Sequence, residues 1–245
     1  MPFTFSHPAL VLPVYAVFRR WTSLTGLVAG SLAPDFEKFI RMSANDPYSH
    51  TWRSIFYFNL PVGLLIAFIF HLIVRDALIN NLPGFLRRRL AGFRHQDWVG
   101  YFKKHYLIVI LSVLLGAASH IFWDSFTHKG GRGANLLPFM LGHVYVSGEK
   151  FSAFYIMQRL SSLVGAYVVL YVIIRMPAAP PLPVCRSVAP YWLAVSAVAV
   201  TVAGLQLWLG EYISRDLIYI YIAAVLVGLV AAPLVLRKLG LRQYT

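Results

Sequence analysis

Five long apolar runs dominate the chain: Ile55 to Val74, Tyr106 to Phe126, Met157 to Ile174, Pro190 to Leu209 and Leu217 to Leu236. At about 1.5 Å of rise per residue, each reaches roughly the 30 Å of a bilayer's hydrocarbon core, so each is expected to cross a membrane as a helix. Two weaker stretches precede them, Phe3 to Phe18 and Trp21 to Ile40, broken at Arg19 and Arg20. The first is short and holds Pro8 and Pro13, so the pair reads either as a tight hairpin of two further spans or as a re-entrant pair. The pattern therefore predicts an all-α, polytopic membrane bundle of about five to seven transmembrane helices. A secretory signal would carry basic residues ahead of its apolar core, whereas the first Arg is residue 19; the N-terminal stretch is expected to stay in the mature protein.

Composition strengthens this reading. The 245 residues are 58 % apolar and only 13 % charged, where soluble chains carry about 25 % charged residues. The whole of 1–245 reads as one membrane domain: an N-terminal helical hairpin (1–54), core spans with a basic loop at 75–105 (55–174), and two C-terminal spans (175–245). Residues Met176 to Pro183 look like a stiff proline-rich connector. The net charge of +13 is gathered in loops, which points to anionic membrane lipid as a partner and sets nucleic acid aside. Arg75, Arg87, Arg88, Arg89, Arg94, Lys103 and Lys104 make 75–105 the most basic loop, expected in the cytoplasm of a multi-pass bacterial inner-membrane protein. Its aromatic and Arg-rich part, Leu82 to Phe102, can also lie among headgroups with guanidinium groups on lipid phosphates, although setting topology explains it as well. A single cysteine, Cys185, excludes an internal disulfide and a cysteine-based zinc site, so any metal must be held by His, Asp and Glu.

Ionisable residues in or beside membrane spans are costly and mark functional sites by default. On this topology His7, Asp35, His50, His120, Asp124 and His128 all arrive at the outer face. The sharpest signal is His120-x3-Asp124-x3-His128: side chains four apart share a helical face, so His120 and Asp124 can ligate one ion and His128 can reach a second. Gly116, Ala117, Ala118 and Ser119 ahead of them would let a neighbouring helix come close. Structural explanations stand beside each of the other three. Ser6 and His7 lie at a helix start with Pro8 in the first turn, Asp35 can cap a short helix after Pro34, and His50 lies in a loop. His71 is expected to be a packed or snorkelling residue, not a ligand. His95 and His105 lie in the basic loop, and His143 and Glu149 can at most complete a shell. Gln158 can bond a substrate oxygen or a neighbouring helix, and Lys129 and Arg132 in "THKGGRG" can hold a phosphate.

The segments "MPFTFSHPALVLP", "LVAGSLAPDFEKF", "SHT", "LPVGLL", "LPGFLRRRL" and "GAASHIFWDSFTH" together resemble the uncharacterised bacterial membrane family called domain of unknown function 4184. The likeness runs from residue 1 to about 165; the last two spans match only as hydrophobic helices. More distantly, the order His, Pro-Asp, Ser-His, His-x3-Asp is similar to the membrane-bound metal-dependent hydrolase family and to the zinc-dependent phospholipases C. That resemblance implies a divalent metal, zinc or alternatively manganese, held by His7, Asp35, His50, His120, Asp124 and His128. The phospholipases carry a further His-x3-Glu pair, and none follows His128.

The expected function is hydrolysis of a lipid-borne ester, in the first place a phosphoester, at the extracytoplasmic face. Asp35 or Asp124 would serve as base, and Lys129 or Arg132 would position the phosphate. The rival expectation is a non-catalytic membrane protein, a transporter or assembly factor, whose polar residues line a path or pin helices together.

Overall fold

The computed structural model describes residues 3–128, 131–137, 139, 142–146, 148–180 and 187–241. It is 77 % helical, and its described strands form one two-stranded hairpin. After a 3-10 turn at Thr4–Ser6 come α1 (Pro8–Val17) and α2 (Leu24–Arg41). They are followed by α3 (Ile55–Asn81), α4 (Gly84–Leu90), α5 (Trp98–Thr127) and α6 (Arg132–Asn135). The antiparallel strands β1 (His143–Val146) and β2 (Glu149–Ser152) lead into α7 (Ala153–Arg175), α8 (Ala189–Leu209) and α9 (Leu217–Lys238). Among the described residues, α3, α5, α7, α8 and α9 with its preceding turn are long and apolar enough to cross a membrane. The chain is a multi-pass membrane protein by fold, as the apolar runs predict.

The N-terminal pair falls short of a full crossing. Thr4–Val17 covers about 21 Å at helical rise, less than a hydrocarbon core. The last two turns of α2 carry Asp35, Glu37, Lys38 and Arg41.

Contacts group the chain into two compact units, and this grouping cuts across the three consecutive stretches read from the sequence. The first takes Met1–Asp35, Pro47–Leu64 and His105–Val172; the second takes Phe36–Asp46, Leu65–Lys104 and Ile173–Thr245. In the first unit α2 and α5 touch backbone to backbone. A methyl group at Gly30 would run into the Val113 carbonyl, and one at Gly116 into the Leu27 carbonyl. Ile55, Ala117 and Ile121 form an apolar cluster in the same unit. The N-terminus is fastened to α7: the Phe3 amide donates to the Ser162 hydroxyl (2.9 Å) and the Ser6 hydroxyl to the Ser162 carbonyl (2.7 Å). Ser6 is therefore no helix cap, as its place before Pro8 had suggested; its hydroxyl serves α7, and His7 occupies the cap position of α1. α5 is kinked at His105 (φ −127°, ψ 27°), just ahead of the apolar run that opens at Tyr106.

In the second unit α8 packs on α9 through Tyr191, Val195, Ala232 and Leu236, with Ala77 of α3 in the same cluster. Several of its charges are matched locally. Lys38 pairs with Asp46 (2.7 Å) and Arg41 with Glu37 (2.8 Å), while Asp216 accepts from the Ala44 amide (2.7 Å) and the Ser43 hydroxyl (3.1 Å). α3 continues past Val74 to Asn81 because the charges there satisfy each other: Arg75 Nε and Nη2 donate to the two Asp76 oxygens (2.7 and 3.1 Å). Arg75 Nη1 lies 2.8 Å from His71 Nδ1, and the His71 ring stacks on Trp98 at 4.3 Å. His71 is thus a packed residue, as its position predicts.

Candidate metal centre

Four segments of the first unit deliver six ionisable side chains to one place. His7 comes from the start of α1, Asp35 from α2, His50 from the loop before α3, and His120, Asp124 and His128 from the end of α5 and the residue beyond it. Asp35, His7, His120 and Asp124 are buried, with exposures of 1, 2, 0 and 6 %. α2 runs unbroken through Pro34, so Asp35 does not cap a helix as its place after a proline had suggested. Pro34 has no N–H to give the Gly30 carbonyl and loosens that turn. In the same turn the Ser31 carbonyl lies 2.7 Å from His120 Nδ1.

Asp124 is the hub. Its Oδ1 lies 3.3 Å from His7 Nε2 and 3.7 Å from His128 Nδ1. Its Oδ2 lies 3.4 Å from His120 Nε2 and 3.6 Å from His50 Nε2. Asp35 Oδ1 lies 3.4 Å from His50 Nε2 and 3.9 Å from His120 Nε2, while its other oxygen accepts the Thr4 hydroxyl at 2.6 Å. The His7 and His120 rings stack at 3.7 Å.

The second ring nitrogens are anchored elsewhere. His120 Nδ1 donates to the Ser31 carbonyl, and His7 Nδ1 lies 3.2 Å from the Thr4 carbonyl. His50 Nδ1 lies 2.9 Å from the Ser49 hydroxyl. A carbonyl can only accept, so His7 and His120 each carry N–H at Nδ1, and the outer partner turns Nε2 toward the carboxylates, the orientation of a metal-binding imidazole. The His50 loop is itself pinned, because Asn59 Nδ2 (3.0 Å) and the Ser54 hydroxyl (2.6 Å) both donate to the Ser49 carbonyl.

These donors fit a divalent cation. Two groups, His7 with Asp35 and His120, and His50 with His120 and Asp124, each bring three ligand atoms within 4.8 Å of one another. Ligands about 2.1 Å from a tetrahedral zinc stand about 3.4 Å apart, which matches most of the separations above. His120 Nε2 and Asp124 Oδ2 are sealed from solvent and 3.4 Å apart, and neither makes a hydrogen bond of good geometry among the described residues. Two carboxylates among neutral imidazoles also balance the charge of a divalent ion, a strong requirement at buried positions.

The other sequence candidates are not among the two ligand groups. His128 Nδ1 is engaged by the Asp124 carbonyl (3.0 Å), and burial holds its imidazole below the ordinary pKa against the opposing pull of the Asp124 carboxylate. It stands outside both ligand groups. Arg132 is exposed at the start of α6. The Gln158 carbonyl accepts from Ser161 and Ser162 within α7. His143 and Glu149 are exposed on the hairpin. Lys129 lies outside the described residues. What the sequence reading missed is the outer shell of Thr4, Ser31, Ser49 and Asn59. Thr4, Ser31 and Ser49 each act at least in part through a backbone carbonyl, which no side-chain pattern reveals. Beside His7, a pocket of about 150 Å³ opens between α1, α5 and α7, lined by Leu10, Trp123, Ser161, Val164 and Val168.

The chain matches, over residues 1–236, the family model described as Domain of unknown function (DUF4184). It belongs to the DUF4184 family. The match extends beyond the N-terminal two thirds, through α8 and most of α9, so these helices belong to the DUF4184 unit and are not merely hydrophobic additions. Neither a curated protein nor a solved structure matches the chain. DUF4184 membership by itself does not show similarity to hydrolases.

Proposed function

We propose that this DUF4184 protein is a metal-dependent hydrolase of the bacterial inner membrane that cleaves a lipid-borne phosphoester at the extracytoplasmic face. The observation that carries the proposal is the buried pair His120 Nε2 and Asp124 Oδ2, close together, without a hydrogen bond of good geometry and ringed by further His and Asp donors. His7, Asp35, His50, His120 and Asp124 would hold the ion. A bound divalent ion lowers the pKa of a coordinated water toward neutrality and offsets charge on phosphoryl oxygens.

The protein's own groups divide the remaining work. Asp35 is committed by the Thr4 hydroxyl on one oxygen, so it suits a fixed ligand. Asp124 suits the proton acceptor, since its Oδ1 faces His128, whose side chain is 35 % exposed and offers a route for the proton to solvent. The apolar pocket beside His7 supplies a place for an acyl or prenyl tail, and Val164 at its wall is 60 % exposed on α7. That is the support for a lipid-borne substrate.

The test is turnover by detergent-purified protein. Wild type should hold about stoichiometric zinc or manganese and hydrolyse a phosphodiester such as bis(p-nitrophenyl) phosphate or a phospholipid in mixed micelles. Chelator should remove both metal and activity, and metal should restore them. Metal-loaded wild type that turns over no phosphoester would end the hydrolase reading while leaving the metal centre standing.

Orientation has its own expected outcome. A cysteine at Gly92, where a side chain meets open space, should be shielded from an impermeant thiol reagent in intact cells. One at exposed Arg132 should label. The reverse pattern would turn the site toward the cytoplasm.

A further inference from the structure

Arg87, on α4, is only 8 % exposed. Its Nε is closed to solvent and bonded to nothing, and it has no ion-pair partner among the described residues. Arg94, two turns on, at the end of the 3-10 turn that directly follows α4, also keeps a buried Nε without a partner. Their neighbours differ. Arg88 Nε donates to the Ala179 carbonyl (2.8 Å), Arg89 Nε to the Ile174 carbonyl (3.0 Å), and Arg75 is saturated by Asp76, Gln96 and His71.

A guanidinium cannot shed its proton, so a buried one without a counter-charge is held at a cost. Among the described residues, the carboxylates of the 75–100 stretch are already engaged: Asp76 with Arg75, and Asp97 with the Gly100 amide (2.9 Å). An anion from outside the chain would supply the missing counter-charge. The planar fork of Arg suits a phosphate. On the helix that carries Arg87 the surface is apolar as well as basic: Phe85 is 52 % exposed with the Arg89 guanidinium 4.0 Å over its ring. A ligand that offers a phosphate to Arg87 and a hydrocarbon chain to such a surface is a phospholipid, and basic pockets at the membrane edge hold anionic headgroups.

We propose that Arg87, with Arg94, forms a binding site for the phosphate of an anionic phospholipid. The site is independent of the metal centre and does not rest on the hydrolase reading. Its function is to fix the 84–94 segment to the membrane surface.

The test uses full-length protein in detergent, with intact-complex mass spectrometry and thermal unfolding read together. Dioleoylphosphatidylglycerol should add one retained lipid to wild type and raise its unfolding midpoint by about 3–5 °C, as ligand linkage requires; phosphatidylcholine and inorganic phosphate should do neither. Arg87→Gln should weaken this lipid retention about tenfold or more, Arg94→Gln should weaken it less, and Arg88→Gln should leave it intact. If Arg87→Gln does not fold, Arg94→Gln and the comparison of lipids on wild type decide. The proposal is overturned if phosphatidylcholine protects as well as phosphatidylglycerol, if inorganic phosphate alone reproduces the full shift, or if the Arg87 and Arg94 variants retain the lipid as wild type does.

Discussion

Asp124→Ala should leave the purified protein without bound metal, lowering affinity at least about 100-fold, since even outer-shell partners are worth about 10- to 100-fold. The reason is geometric: the two oxygens of Asp124 lie within 3.3–3.7 Å of ring nitrogens on His7, His50, His120 and His128. No other side chain in the cluster reaches all four. Removing His120 as well should add little, because ligands that act as one unit are not additive. His71→Ala is the control. That ring is buried too, but it stacks on Trp98 and bonds Arg75, so metal content measured by mass spectrometry should stay at the wild-type level. A His71→Ala protein that folds and inserts yet loses as much metal as Asp124→Ala would mean that the loss follows bundle integrity, and the ligand assignment would fall.

Gly116→Leu should destabilise the protein by about 3 kcal/mol or more, the upper end of what overpacking costs. A side chain there meets the Leu27 carbonyl and the Ser31 amide, which are backbone atoms of α2 and cannot swing aside. Separating α2 from α5 also carries Asp35 away from His120, so metal affinity should fall together with the unfolding midpoint. Gly92→Leu, in open space, should change neither. A wild-type midpoint for Gly116→Leu would show that the two helices do not meet there.

Much of the fold was legible because a hydrocarbon environment leaves a coarse signature: the five apolar runs correspond to α3, α5, α7, α8 and α9. The helix ends were less so. α3 outlasts its apolar run by about two turns because Arg75 and Asp76 neutralise each other, and a hydropathy pattern sees only two charges. Asp35 read as a cap since a proline in sequence suggests a helix start, whereas α2 carries Pro34 in its interior. Among the candidate ligands, the i, i+4 spacing of His120 and Asp124 was readable from local geometry. The addition of His7, Asp35 and His50 could be argued from a shared side of the membrane and from a family resemblance, not from local spacing, and the structure brings them within reach of the same cluster. The Ser31 carbonyl that orients His120 left no trace in the sequence, since every residue has a carbonyl and only packing decides which one is used.

The tie between the N-terminus and α7 bears on how the protein is made. Phe3 and Ser6 are held by Ser162, a residue 159 and 156 positions further along the chain. The segment that carries His7 therefore gains two of its anchors only when α7 is in place. Before α7 has been synthesised and inserted, the His7 end of α1 depends on its other ties, the Thr4 hydroxyl on Asp35 and His7 on Asp124. Completion of the ligand cluster is thereby placed late in biogenesis, when most of the chain is already in the bilayer, and a nascent chain stalled before residue 162 would hold His7 beside Asp124 less firmly.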